Sequence, residues 1–113
     1  MPEAQLGSLF ALKPVPKDGE LFETLHEQGG ITIRRIQSSG TQPPCQYCQS
    51  EDEWVLLLKG TANVRVCDNV VAMSAGQYLF LPRNEPHEVL STSENAVWLA
   101  IHMRGELPVS HLP

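Results

Sequence analysis

From Gly30 onward the pattern is one of short segments separated by turn-forming residues. The breaks fall at Gly40, Pro43-Pro44, Lys59-Gly60, Asp68-Asn69, Ala75-Gly76, 82–86 and 91–95. Each supplies a positive φ, a fixed φ or a side-chain-to-backbone hydrogen bond. The intervals predict eight strands, at 31–37, 45–49, 53–59, 62–67, 70–73, 77–81, 87–90 and 96–103. That many short strands at regular spacing predict an all-β sandwich or barrel.

The strand at 53–59 constrains the architecture further. Val55 and Leu57 share a face with Glu53, while Trp54, Leu56 and Leu58 take the other. A strand that is apolar on both faces has to be covered on both. One face can line a barrel interior; the other needs a second layer or a partner subunit.

The remaining segments are less regular. Residues 1–19 read as an arm, punctuated by Pro14, Pro16 and Gly19, with Leu9-Phe10 as a short apolar latch. The segment 20–27 is open: Leu21, Phe22 and Leu25 fit a helical face, or half of a hairpin turning at Gln28-Gly29-Gly30. The reading is therefore an arm with an unassigned first element over 1–30, a barrel over 31–105 and a surface tail over 106–113. A chain of 113 residues makes one domain, with core enough to need no disulfide or structural metal.

Composition excludes some partners. The formal net charge is −5, and Arg34-Arg35 is the densest basic spot, so nucleic acid is not expected. The apolar runs at 54–58 and 96–101 are too short to span a bilayer. No basic region followed by an apolar core opens the chain, so no secretory signal is expected. Three cysteines, an odd number, then point to free thiols in a reducing cytoplasm.

Two segments carry a family pattern. The first, GTQPPCQYCQSEDEWVLLLKG from Gly40 to Gly60, is followed by GQYLFLPRNEPHEV from Gly76. Together they resemble the paired signatures of the cupins, small antiparallel β-barrels that usually cage a metal. Gly40, Glu53 and Gly60 fall on the first signature's spacing, with Gln46 and Cys48 at its two histidine positions. Gly76, Pro82 and His87 fall on the second, with Asn84 at its middle glycine. EWVLLLKG, LPRNEPHEV and WLAIH are similar to a subgroup of small bacterial cupins. That subgroup carries tyrosine, aspartate and glutamine before the glutamate, where Tyr47, Cys48 and Gln49 stand here.

The resemblance implies a double-sheet antiparallel jelly-roll barrel, commonly a homodimer through its apolar outer sheet. It also implies metal ligands at Gln46, Cys48, Glu53 and His87. Period two places Gln46, Cys48 and, after a turn, Glu53 on one side. Thiolate, imidazole and carboxylate together suit zinc, iron, nickel or copper better than magnesium or calcium. Glu53 and His87 are also the candidate catalytic pair. A carboxylate in so apolar a strand needs a partner, and an imidazole moves protons near neutral pH.

Other residues receive structural readings. His102 is expected to be half-buried and structural, although its parity allows it to point inward. Tyr47 should face away from the site, Tyr78 and Phe80 should pack, and Trp54 and Trp98 should fill a sheet interface or the barrel floor. Arg34, Arg35 and Arg65 are placed on the surface unless strand parity turns them inward. Cys45-Gln46-Tyr47-Cys48 is formally a CxxC, but no helix follows it to lower a thiol pKa. Cys45, Cys67, His26 and His111 receive no role.

Two functions follow. One is a small metal-dependent enzyme acting on a small polar molecule held in the barrel. The other is a metal-free barrel that binds or senses a small, largely apolar molecule.

Overall fold

The computed structural model describes residues 3–105, and nine strands fill the intervals between the turns. They are β1 (Glu20–Gln28), β2 (Ile31–Ser38), β3 (Cys45–Tyr47), β4 (Asp52–Lys59), β5 (Thr61–Val66), β6 (Asn69–Ser74), β7 (Tyr78–Leu81), β8 (His87–Thr92) and β9 (Ala96–Met103). Every pairing is antiparallel, in a five-stranded sheet ordered β1-β2-β9-β4-β7 and a four-stranded sheet ordered β3-β8-β5-β6. This is the jelly roll that the strand pattern and the signatures implied. The tail at 106–113, with His111, lies outside the described residues. Among those residues no helix is long and apolar enough to cross a membrane.

The open segment at 20–27 resolves as half of a hairpin. β1 pairs with β2 from Glu20↔Ser38 to Gln28↔Ile31, with one register shift between Thr24 and His26. The sheet therefore begins at Glu20, and the boundary read at residue 30 falls at the hairpin turn. The alternation was hard to see because that bulge reverses side-chain parity midway along the strand.

The two faces of β4 divide as the sequence implied. Val55 and Leu57 are buried with Val64, Leu81, Trp98 and Ala100 in a core between the sheets. Burying an aliphatic side chain of this size contributes about 1.5–3 kcal/mol. Trp54 lies on the opposite face, packed against Tyr78 and Phe80 at ring-centroid distances of 4.8 and 5.9 Å. Those three aromatics are 36%, 58% and 46% exposed. Trp98 belongs to the barrel interior and Trp54 to the outer sheet surface.

β2 also uses both faces. Arg34 and Ile36 line the interior cavity, while Arg35 lies beneath the N-terminal arm and is only 5% exposed. Its guanidinium donates to the Ser8 and Leu9 carbonyls at 3.1 Å and pairs with Glu23 at 2.5 Å. Two residues on, Gln37 accepts from Lys13 N–H at 3.1 Å and donates to the Lys13 carbonyl at 2.8 Å. The arm is thus fastened to the outer face by buried polar groups, and its Phe10 stays exposed. The surface placement expected for these arginines holds for Arg65, which pairs with Glu88 at 2.9 Å. It fails for Arg35 because the arm covers that face.

Two turn positions explain why the signature survives where it does. Gly40 has φ 97°, and a Cβ there would meet Glu94 Cα at 2.6 Å. Asn84, at the glycine position of the second signature, has φ 64°. Asparagine tolerates that left-handed conformation better than most side chains, so the turn is kept without the glycine.

Candidate active site

Glu53 and His102 are directly opposed across β4 and β9, where cross-strand neighbours lie within side-chain reach. His87 opens β8 on the other sheet and is paired with Tyr47 of β3. The two sheets bring these groups together at one end of the core. Glu53 and His87 are each 6% exposed and His102 is 9% exposed.

Both carboxylate oxygens of Glu53 are met by protein groups. Gln49 Nε2 donates to Oε1 at 2.6 Å, and His87 Nε2 stands 3.7 Å from the same oxygen. His102 Nε2 is 3.4 Å from Oε2, while its Nδ1 is 3.4 Å from Glu51 Oε1. Among the described residues, that Nδ1 is the buried side-chain atom without a hydrogen-bond partner. Arg104 reaches Glu51 from the other side, at 3.4 Å.

The tautomer of His87 follows from its neighbours. Its Nδ1 is 3.4 Å from the Glu85 carbonyl, which can only accept, so Nδ1 carries the hydrogen. In the neutral ring Nε2 is then an open base facing a carboxylate. The 3.7 Å gap exceeds a direct hydrogen bond and suits a bridging hydroxyl or water.

Tyr47 stacks on the His87 ring, with centroids 5.4 Å apart and planes inclined by 22°. Burial, then the neighbouring Cys45 thiol, pushes its phenol pKa well above the ordinary value. Tyr47 therefore remains a neutral hydroxyl, able to donate, throughout the physiological range.

These groups open into a cavity of about 210 Å³. Val64, Leu81 and Trp98 form part of its buried wall, and Arg34 and Phe22 line its exposed margin.

The structure brings Glu53 and His87 together but does not bring Gln46 and Cys48 to them. Both are exposed, and neither lines the cavity. The reason is a parity offset of one residue. β3 has only three residues, and Tyr47, paired with His87, points inward, which turns Gln46 outward. The chain leaves the strand after Tyr47, and Gln49 returns to the cavity. Tyr47 was expected to face away and instead supplies a wall. The tyrosine-x-glutamine spacing of the cupin subgroup was the signal that could have found Tyr47 and Gln49. Glu51 carried no such signal, and His102 was read as structural.

A divalent metal is common among cupins, but the donors here do not fit the expected cage. With Gln46 and Cys48 outside, two of the four expected ligands for zinc, iron, nickel or copper are missing. Among the described residues no group of three or more His, Cys, Asp or Glu side chains is placed to hold a metal ion. The Glu53 oxygens face an amide and two imidazoles instead.

The chain belongs to the cupin family. The family model Cupin_2, described as a cupin domain, matches residues 33–102. Among solved structures, a candidate mannose-6-phosphate isomerase from Ralstonia eutropha JMP134 is 34% identical, with a TM-score of 0.82 over 90% of this chain and 100% of that one. A conserved Streptococcus pyogenes protein of unknown function is 19% identical, with a TM-score of 0.76 over 95% and 93% of the two chains. An RmlC-like cupin from Shewanella frigidimarina is 12% identical, with a TM-score of 0.71 over 79% of each. These last two share the fold alone. No curated protein matches the chain in sequence.

Proposed function

We propose that this small cupin catalyses proton transfer on a small carbonyl compound, with Glu53 as the base at carbon and His87 as the acid at oxygen. The observation that carries this reading is the Glu53 carboxylate, buried at the cavity wall with His87 Nε2 3.7 Å from its Oε1. Glu53 takes a proton from the carbon next to the carbonyl. Protonated His87 gives its Nε2 proton to the carbonyl oxygen, and an enol forms. Glu53 then returns a proton to that carbon as the enol oxygen gives its proton back to His87 Nε2, which regenerates the carbonyl and restores both groups. Where the carbon also bears a hydroxyl, return of the proton to the former carbonyl carbon, with the hydroxyl proton passing to His87, gives the isomer. Tyr47, held neutral by burial, adds a donor for the developing negative oxygen.

Likeness to the Ralstonia eutropha protein, described as a candidate isomerase, supports the reaction type. The same reading takes the protein as a homodimer joined through the exposed Trp54, Tyr78 and Phe80 surface. Three free, exposed cysteines suit a reducing cytoplasm.

The test is exchange of α-hydrogens for deuterium in a panel of small ketones and aldehydes in D₂O, followed by proton NMR. Exchange above the buffer rate is expected for the wild type, with at least a hundredfold loss in Glu53→Gln. Equal rates in both proteins would overturn the assignment. Ligand binding without exchange would leave the binding or sensing barrel in its place.

A further inference from the structure

The cavity wall limits which carbonyl compounds can meet Glu53. Of its fifteen lining residues, eight are apolar or aromatic, so most of an occupant's surface has to be apolar as well. Val64 and Leu81 are each 2% exposed and Trp98 is 5% exposed, so this wall is core and not a wetted rim. A multiply hydroxylated occupant would find partners among Gln49, Glu53, His87 and His102 but would lose water against the Val64, Leu81 and Trp98 wall without gaining any there.

Charge adds a second, independent limit. Three carboxylates line the cavity, those of Glu20, Glu51 and Glu53, against one guanidinium, that of Arg34. Arg104 offsets Glu51, and His87, carrying the proton that the reaction requires, offsets Glu53, which leaves Glu20 against Arg34 and no surplus positive charge. Arg34 is also exposed, so solvent and salt screen it. A phosphate ester carries roughly −1.5 to −2 charges at neutral pH and would find no surplus cation here to offset the loss of its water. The volume of about 210 Å³ is below the roughly 300–1,000 Å³ of pockets for drug-sized molecules.

We infer that the occupant is a small uncharged carbonyl compound with a branched or cyclic apolar body, its single polar head set against Glu53 and His87, and that phosphorylated sugars are not substrates. The carbonyl part rests on the proton-transfer reading; the apolar and uncharged parts rest on the cavity alone.

Methyl-labelled protein titrated by NMR tests this with four probes: cyclohexanone, cyclohexylamine, cyclohexanecarboxylate and mannose 6-phosphate. Cyclohexanone is expected to shift the methyls of Val55, Val64, Leu81 and Val89 and to bind at least tenfold more tightly than the other three. Arg34→Ala should change its affinity by less than twofold. Any charged probe binding within tenfold of the ketone overturns the inference, as does silence of those methyls towards all four. A tenfold loss in Arg34→Ala would show an anion-type anchor and overturn it too. Deuterium exchange in the same samples is read separately. Cyclohexanone bound without exchange counts against the proton-transfer reading and leaves the occupant's class standing.

Discussion

His87 and Glu53 face each other across the two sheets: Nε2 of the first residue of β8 lies 3.7 Å from Oε1 of the second residue of β4. Because the Glu85 carbonyl holds the hydrogen on Nδ1, Nε2 is the nitrogen available to exchange a proton. His87→Asn removes that nitrogen while leaving a polar side chain that can still reach the carbonyl. Hydrogen–deuterium exchange on a bound ketone should fall at least a hundredfold, a loss of the size usual for a general acid or base. Full exchange activity in His87→Asn would remove His87 from the reaction.

Gln46 and Cys48 invite the opposite expectation. Both are exposed and lie outside the cavity that holds Glu53 and His87. Gln46→Ala and Cys48→Ser should each alter stability by no more than about 0.5 kcal/mol, as surface substitutions do. Neither should change the metal content of the purified protein, whatever that content is. Loss of a bound ion in either variant, measured by elemental analysis, would restore these residues to a metal site.

The contrast between these pairs shows what was legible in the sequence. Gly40, Gly60, Gly76 and Pro82 mark turns whose geometry few other residues supply, so the jelly roll could be read from spacing. Glu53 and His87 sit at fixed distances from those turns and could be read with it. Gln46 and Cys48 could not, because the β3 register depends on which residue pairs with His87, a contact forty residues away in sequence. A slip of one position exchanged the inward and outward sets. His102 escaped for a related reason. Its partner Glu53 lies on another strand, and nothing local to WLAIH distinguishes a histidine facing a carboxylate from one filling space. The N-terminal arm was legible only as an arm. That Arg35 and Gln37 would be buried beneath it follows from contacts between residues more than twenty positions apart.

The outer face of the five-stranded sheet gives an assembly prediction. Trp54, Tyr78 and Phe80 cluster at its β7 edge, each more than a third exposed. Covering such a patch is the usual reason for a protein to retain one. Sedimentation at micromolar concentration should give twice the chain mass of 12.5 kDa. Phe80→Glu should shift the protein towards monomer by placing a charge in the joint. A wild type that sediments as a monomer, or a Phe80→Glu protein that stays dimeric, would move the interface elsewhere.

Acid should loosen the arm through Glu23. Salt-bridged hydrogen bonds from Lys13 and then Arg35 hold the Glu23 carboxyl below its ordinary value of 4.5. A carboxyl whose pKa is lowered on folding stabilises the folded state while both states are ionised. That contribution is therefore present in full above pH 4.5 and is lost as the pH falls through the lower, folded value. Glu23→Gln should melt at a lower temperature than wild type at neutral pH, with the difference narrowing as the pH drops below 4.5. The Lys13 amide, which donates to Gln37 at 3.1 Å, should exchange faster over the same interval in the wild type and change less in the variant. A melting difference that stays constant from pH 7 to pH 3 would mean that the arm is held by Arg35 and Gln37 acting on its backbone, without the ion pair.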